Sequence, residues 1–157
     1  MRNWIRINFL LVVLCVAPIN LIAQTSWTIE QEQIVATIDR LSATTAPDGN
    51  GADDYGMLLD EAFSRWTVGS DLVSYKRDWV DGIRDWFDDG WRVSERKTDY
   101  VAIDIVDNFA FTRRNVSETY LGPDGDSSTS KAAVAEVWKK SGNSWLLLVA
   151  NVHPITD

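Results

Sequence analysis

The chain has 157 residues, with 15 Lys and Arg against 23 Asp and Glu, a formal charge of −8, one histidine, one cysteine and eight tryptophans. A surface this acidic repels phosphate backbones, which excludes nucleic acid as a partner. One cysteine cannot close an internal disulfide, and a lone histidine beside it leaves no metal-ligand set of recognisable spacing.

The N-terminal segment reads as a secretory leader. Arg2 and Arg6 supply the positive start, residues 9–17 are unbroken apolar, and Leu21-Ile22-Ala23 precede Gln24. The apolar run is short for a membrane span and is interrupted by Pro18 and Asn20. The expectation is cleavage after Ala23 and release to the periplasm or outside the cell, with no membrane attachment afterwards. The organisation is then 1–23 leader and 24–157 a single domain of 134 residues, enough for one core. Cleavage removes Cys15 together with Arg2 and Arg6, which leaves 13 basic against 23 acidic residues. Seven tryptophans remain to supply buried area without cross-links.

From Trp27, the apolar residues Ile29, Ile34, Val35, Ile38 and Leu41 recur near helical spacing, and Thr28 with Gln31 forms a capping-box pattern. This predicts a first helix to about Ser42. Residues 44–54, with Pro47, Gly49 and Gly51, read as a loop. A calcium loop at Asp48 and Asn50 fails, because Ala52 breaks the ligand series and no glutamate closes it. Asp54 is placed to cap a second helix carrying Leu58, Leu59, Ala62, Phe63 and Trp66, which gives way near Thr67-Val-Gly69, with room for a short strand. A third helix carries Trp79, Ile83, Trp86 and Phe87 on one side and ends at Gly90.

Beyond Gly90 the period changes to 2. Val101, Ile103 and Ile105 alternate with Tyr100, Ala102 and Asp104, and an Asp107-Asn108 turn leads into Phe109 through Tyr120. A loop of Gly122-Pro-Asp-Gly125 and the serines to Ser130 precedes the last hairpin, Lys131 to Pro154, turning at Gly142-Asn143. Helices first and strands last predict an α+β fold, three N-terminal helices packed on a curved antiparallel sheet.

The phrases Glu136-Val-Trp138, Gly142-Asn-Ser-Trp145 and Leu146-Leu-Leu-Val-Ala-Asn151, in this order of elements, resemble the SnoaL-like, ketosteroid-isomerase-like domains of the nuclear transport factor 2-like superfamily. Asp107-Asn-Phe-Ala110 fits the hairpin of the same group, with Val106 where the group carries glycine. The resemblance spans Trp27 to about Pro154 and implies a cone with a pocket between sheet and helices, often as a homodimer. Enzymes of the group commonly use an Asp or Glu base with a polar partner. Many relatives carry histidine where this chain has Asn151, and His153 stands two residues later.

A regular ladder from the Gly142-Asn143 turn sets Trp138 opposite Leu147, Glu136 opposite Val149, Val134 opposite Asn151 and Ala132 opposite His153, all on one face. The other face is uniformly apolar. In the first hairpin the ladder sets Asp104 opposite Phe111 and Tyr100 opposite Asn115, with Arg113 diagonal to Asp104. The candidate catalytic residues are therefore Glu136, as a base beside Trp138, and His153, the sole histidine, for acid/base work or ligand contact. Each has a plainer reading, as an exposed strand carboxylate near Lys139 or Lys140 and as a solvated strand end. Candidate ligand-binding residues are Trp79, Tyr100, Arg113, Trp138 and Asn151, although a surface ion pair is the better account of Arg113 with Asp104.

Two functions remain open at this level. One is a module that binds a small apolar molecule or associates as a homodimer; the other is a cofactor-free isomerase or dehydratase. No cofactor motif, phosphate loop or metal set is present.

Overall fold

The computed structural model describes residues 26–156, so the expected leader lies outside them. The elements run α1 Ile29–Ala43, α2 Ala52–Met57, β1 Leu59–Thr67, β2 Val73–Tyr75, α3 Lys76–Asp88, β3 Arg92–Val106, β4 Phe109–Leu121, β5 Ser127–Ser141 and β6 Ser144–Pro154. The six strands form one sheet in the order β2-β1-β6-β5-β4-β3. Every pairing is antiparallel except β1 with β6, which is parallel. This is the expected α+β architecture, a curved sheet holding three helices against its inner face.

Local chemistry accounts for the helix ends. The Thr28 hydroxyl accepts from the Gln31 amide at 3.3 Å, and the Gln31 side chain accepts from the Thr28 amide at 2.8 Å. That reciprocal pair satisfies two donors at the start of α1. At the end of α3, Gly90 adopts φ +87°, and its amide donates to the Phe87 carbonyl. A Cβ there would stand 2.9 Å from Pro123 Cβ, so the position needs glycine for both conformation and space.

The core joins Ile34, Ile38 and Leu41 of α1 to Phe63, Ile103, Ala110, Trp138, Trp145 and Leu147 of the sheet. The helical spacing of the α1 residues brings them onto one buried stripe, and that stripe settles the helix on the sheet.

Three expectations from the sequence are corrected. The second helix ends at Met57, and Leu59–Thr67 is strand. Leu58, Leu59, Ala62, Phe63 and Trp66 do fall at helical spacing. Parallel pairing with β6, from Leu59 with Leu147 to Thr67 with Val152, overrides that local pattern. The loop after β4 is short, because Ser127–Ser130 extend β5 and pair with Glu118–Leu121.

The third correction concerns register. Val137 pairs with Val149 and Trp138 with Leu147, so Leu148 is an extra residue in β6. Beyond this bulge Glu136 pairs with Ala150, Val134 with Val152 and Ala132 with Pro154. A one-residue slip exchanges the two faces of a strand. Asn151 and His153 therefore share a face with Ala135 and Ala133, opposite to that of Glu136. A second irregularity, at Val101 in β3, sets Tyr100 opposite Arg114 in place of Asn115.

Candidate functional site

Between the helices and the concave face of the sheet lies a cavity of about 560 Å³. Trp79, Ile83 and Trp86 of α3 close one side, and Ala132, Val134, Ala150 and Val152 of the last hairpin form the floor. The walls are mostly apolar, with polar groups set into them at a few points, as small-molecule sites require.

At the inner end, β4 presents Ala110, Thr112, Arg114 and Val116 inward by simple alternation, and all four are buried. Glu136 of β5 faces them and is 4% exposed. Arg114 holds this carboxylate with both arms of its fork, Nη2 to Oε1 at 2.7 Å and Nε to Oε2 at 3.1 Å. The Thr112 hydroxyl donates to Oε2 at 2.8 Å and accepts from Trp138 Nε1 at 3.3 Å. Burial by itself would lower the pKa of Arg114, but the Glu136 charge outweighs it and the net direction is up. Both oxygens of this carboxylate are thus committed to a cation and a hydroxyl, which leaves neither of them free to reach a bound molecule.

At the side of the cavity, Arg96 Nε donates to Glu118 Oε1 at 2.6 Å, and the Tyr120 hydroxyl donates to Glu118 Oε2 at 2.7 Å. Burial pushes the Tyr120 hydroxyl above its ordinary pKa, and the adjacent carboxylate adds to the shift. Tyr55 of α2 reaches the cavity with its phenol likewise raised by burial.

At the β1 side, Arg65 lies with its guanidinium carbon 4.2 Å from the centroid of the Trp79 ring, and its Nη1 donates to the Thr67 hydroxyl at 2.8 Å. Burial lowers the pKa of this guanidinium.

Of the residues singled out from the sequence, Glu136 and Trp79 line the cavity. Trp138 is fully buried in the core behind it, and Tyr100 packs edge-on to Trp27 at 6.3 Å with its hydroxyl buried and unpartnered. Arg113 is on the outer face, exposed, with Nη1 2.8 Å from Asp104 Oδ2. Asn151 lies on the outer side of β6, and His153 is exposed at its end. The bulge at Leu148 thus separates Glu136 from His153 by the thickness of the sheet. Sequence reasoning missed Arg65, Arg114, Arg96, Glu118, Tyr55 and Tyr120. The inward phase of β4 was available for Arg114; nothing local marked Arg65 while its segment read as helix. Among the described residues no three His, Cys, Asp or Glu side chains converge to hold a metal ion.

This arrangement defines the nuclear transport factor 2-like fold, and comparison with solved structures agrees. The chain is similar to a protein from Exiguobacterium sibiricum described as a putative Ca/calmodulin-dependent kinase II association domain, with TM-score 0.69 and 11% identity over 84% of this chain and 98% of that one. An NTF2-like protein from Cytophaga hutchinsonii gives TM-score 0.67 and 14% identity over 82% and 100% of the two chains. A ketosteroid isomerase-like protein from Erwinia carotovora gives TM-score 0.64 and 12% identity over 83% and 100%. At these identities the likeness is one of fold. No protein-family model and no curated protein matches the sequence.

Proposed function

We propose that the domain, once exported by its leader, holds a small, largely apolar molecule in the cavity. The observation behind this reading is the cavity itself: about 560 Å³ between helices and sheet, with aromatic and aliphatic walls. The clamp on Glu136 favours holding over proton abstraction, because the base that an isomerase would need is already bound to Arg114 and Thr112. The test is a fluorescence titration with neutral aminoanthracene. The native protein should bind it at micromolar concentration, and Ala132→Trp, which fills the floor, should not. Equal signals from the two proteins would sink the reading. If a substrate were turned over, and Glu136→Gln abolished the turnover, the isomerase or dehydratase reading would replace it.

A second reading, self-association, is favoured by the outer face of the sheet. Phe109 and Phe111 are 39% and 38% exposed there, and Phe109 pairs with Val106, which is exposed too, so three large apolar side chains lie together on one face. One fold neighbour is described as an association domain. Sedimentation should give a homodimer that Phe111→Glu converts to monomer; a monomeric native protein removes this reading.

A further inference from the structure

The cavity wall carries three guanidinium groups and two carboxylates, in a chain whose overall charge is −8. Both carboxylates are already committed. Glu136 is held by Arg114 and Thr112, and Glu118 by Arg96 and Tyr120. Arg96 also donates to the Ser42 carbonyl at 2.6 Å and to the Thr45 hydroxyl at 3.0 Å. Arg65 differs from both. Among the described residues it has no carboxylate within ion-pair reach; its direct contacts are the Thr67 hydroxyl and the Trp79 ring, and Glu118, already held by Arg96 and Tyr120, acts on it only through space.

A guanidinium presents five N–H donors and stays charged at any physiological pH. Holding such a cation half-buried without a counter-ion is unfavourable, and a pairing anion relieves the cost. Stacking on Trp79 limits the plane in which the guanidinium can turn, which prepares it for a planar, two-oxygen partner. The local balance leaves one positive charge over, which suits a monoanion. A dianionic phosphate would bring its second charge toward Glu118 and Glu136.

We propose that the cavity selects molecules carrying one carboxylate on an apolar body, with the carboxylate on Arg65 and the Thr67 hydroxyl and the body against Trp79, Val134 and Val152. This rests on reading the cavity as a binding site.

The test displaces aminoanthracene from the purified protein with hydrocinnamate and, separately, with hydrocinnamide, which has the same shape without the charge. A charge-assisted fork is worth about tenfold in affinity, so the acid should displace at roughly one-tenth of the amide concentration. Arg65→Met should bring the acid-to-amide ratio to about one, and Arg65→Lys should retain part of the preference. Equal displacement by acid and amide in the native protein overturns the carboxylate assignment and leaves the cavity reading standing. A preference that survives in Arg65→Met overturns the role of Arg65. Failure of aminoanthracene, acid and amide alike to bind removes both readings.

Discussion

Arg114 and Arg65 stand in the same cavity, yet they are opposite kinds of charge. Arg114 is almost fully buried and answered: two bonds to Glu136, whose second oxygen is also taken by Thr112. Arg65 is less deeply buried; it touches only a hydroxyl and an aromatic face, and Glu118 reaches it only through space. A side chain's type therefore says little about its role; the partners that the fold brings to it decide whether it is structure or receptor.

The largest effect should come from breaking the answered pair. Arg114→Met leaves the Glu136 carboxylate buried without a cation, which costs about 3–5 kcal/mol. Thermal unfolding should show a midpoint lower by about 10 °C or more. Replacing both partners, Arg114→Met with Glu136→Leu, should recover most of that loss, because an apolar pair of similar volume leaves no orphaned charge. Arg65→Met should behave differently, staying within about 1 kcal/mol of the native protein in the same unfolding experiment, since no acid is left unpaired. A loss as large as that of Arg114→Met would mean that Arg65 is structural too.

Smaller effects follow from titration. Burial pushes the Tyr100 hydroxyl to about 12, against 10.0 ordinarily. The raised native value means that stability is fully present below pH 10 and is lost as pH rises toward 12. Tyr55 and Tyr120 shift in the same direction. Tyr100→Phe should therefore flatten part of the alkaline arm of a stability–pH curve while costing little at pH 7, where the buried hydroxyl has no partner.

The smallest effect belongs to Asp60. Its carboxylate accepts from the Ala62 amide at 3.0 Å and from Lys139 Nζ at 3.0 Å, and the amide bond, then Lys139, hold its pKa below the ordinary 3.8. A lowered native value gives stability that is present above pH 3.8 and is lost as pH falls through the native pKa. Asp60→Asn should remove that acid-side dependence. The change should be modest, because Lys139 is well exposed and solvent screens the pair.

Much of the fold was legible because it is written in local pattern. Thr28 with Gln31, the Ile34-Ile38-Leu41 stripe, Gly90, and the turns at Asp107-Asn108 and Gly142-Asn143 each act through neighbours in sequence. The site was less legible. Glu136 and Trp79 were found, but His153 and Asn151 were placed on the wrong face, because one extra residue at Leu148 is invisible to a count that assumes a regular ladder. Tyr100 was set against the wrong partner by the same mechanism at Val101. Arg65 was hidden by a tie: residues 58–66 suit a helix by spacing and a strand by partner, and the partner strand lies some eighty residues away.

By itself, then, the sequence determined the class of fold, the first and third helices, both hairpins and their turns, because capping, helical period and turn conformation are short-range interactions that hold wherever the chain goes. Only the tertiary structure decided which side chains share the cavity. That choice rests on bulges, each of which exchanges the faces of a strand with a single residue, on the parallel pairing of β1 with β6, and on which acid reaches which guanidinium, all of them interactions between segments far apart in the chain.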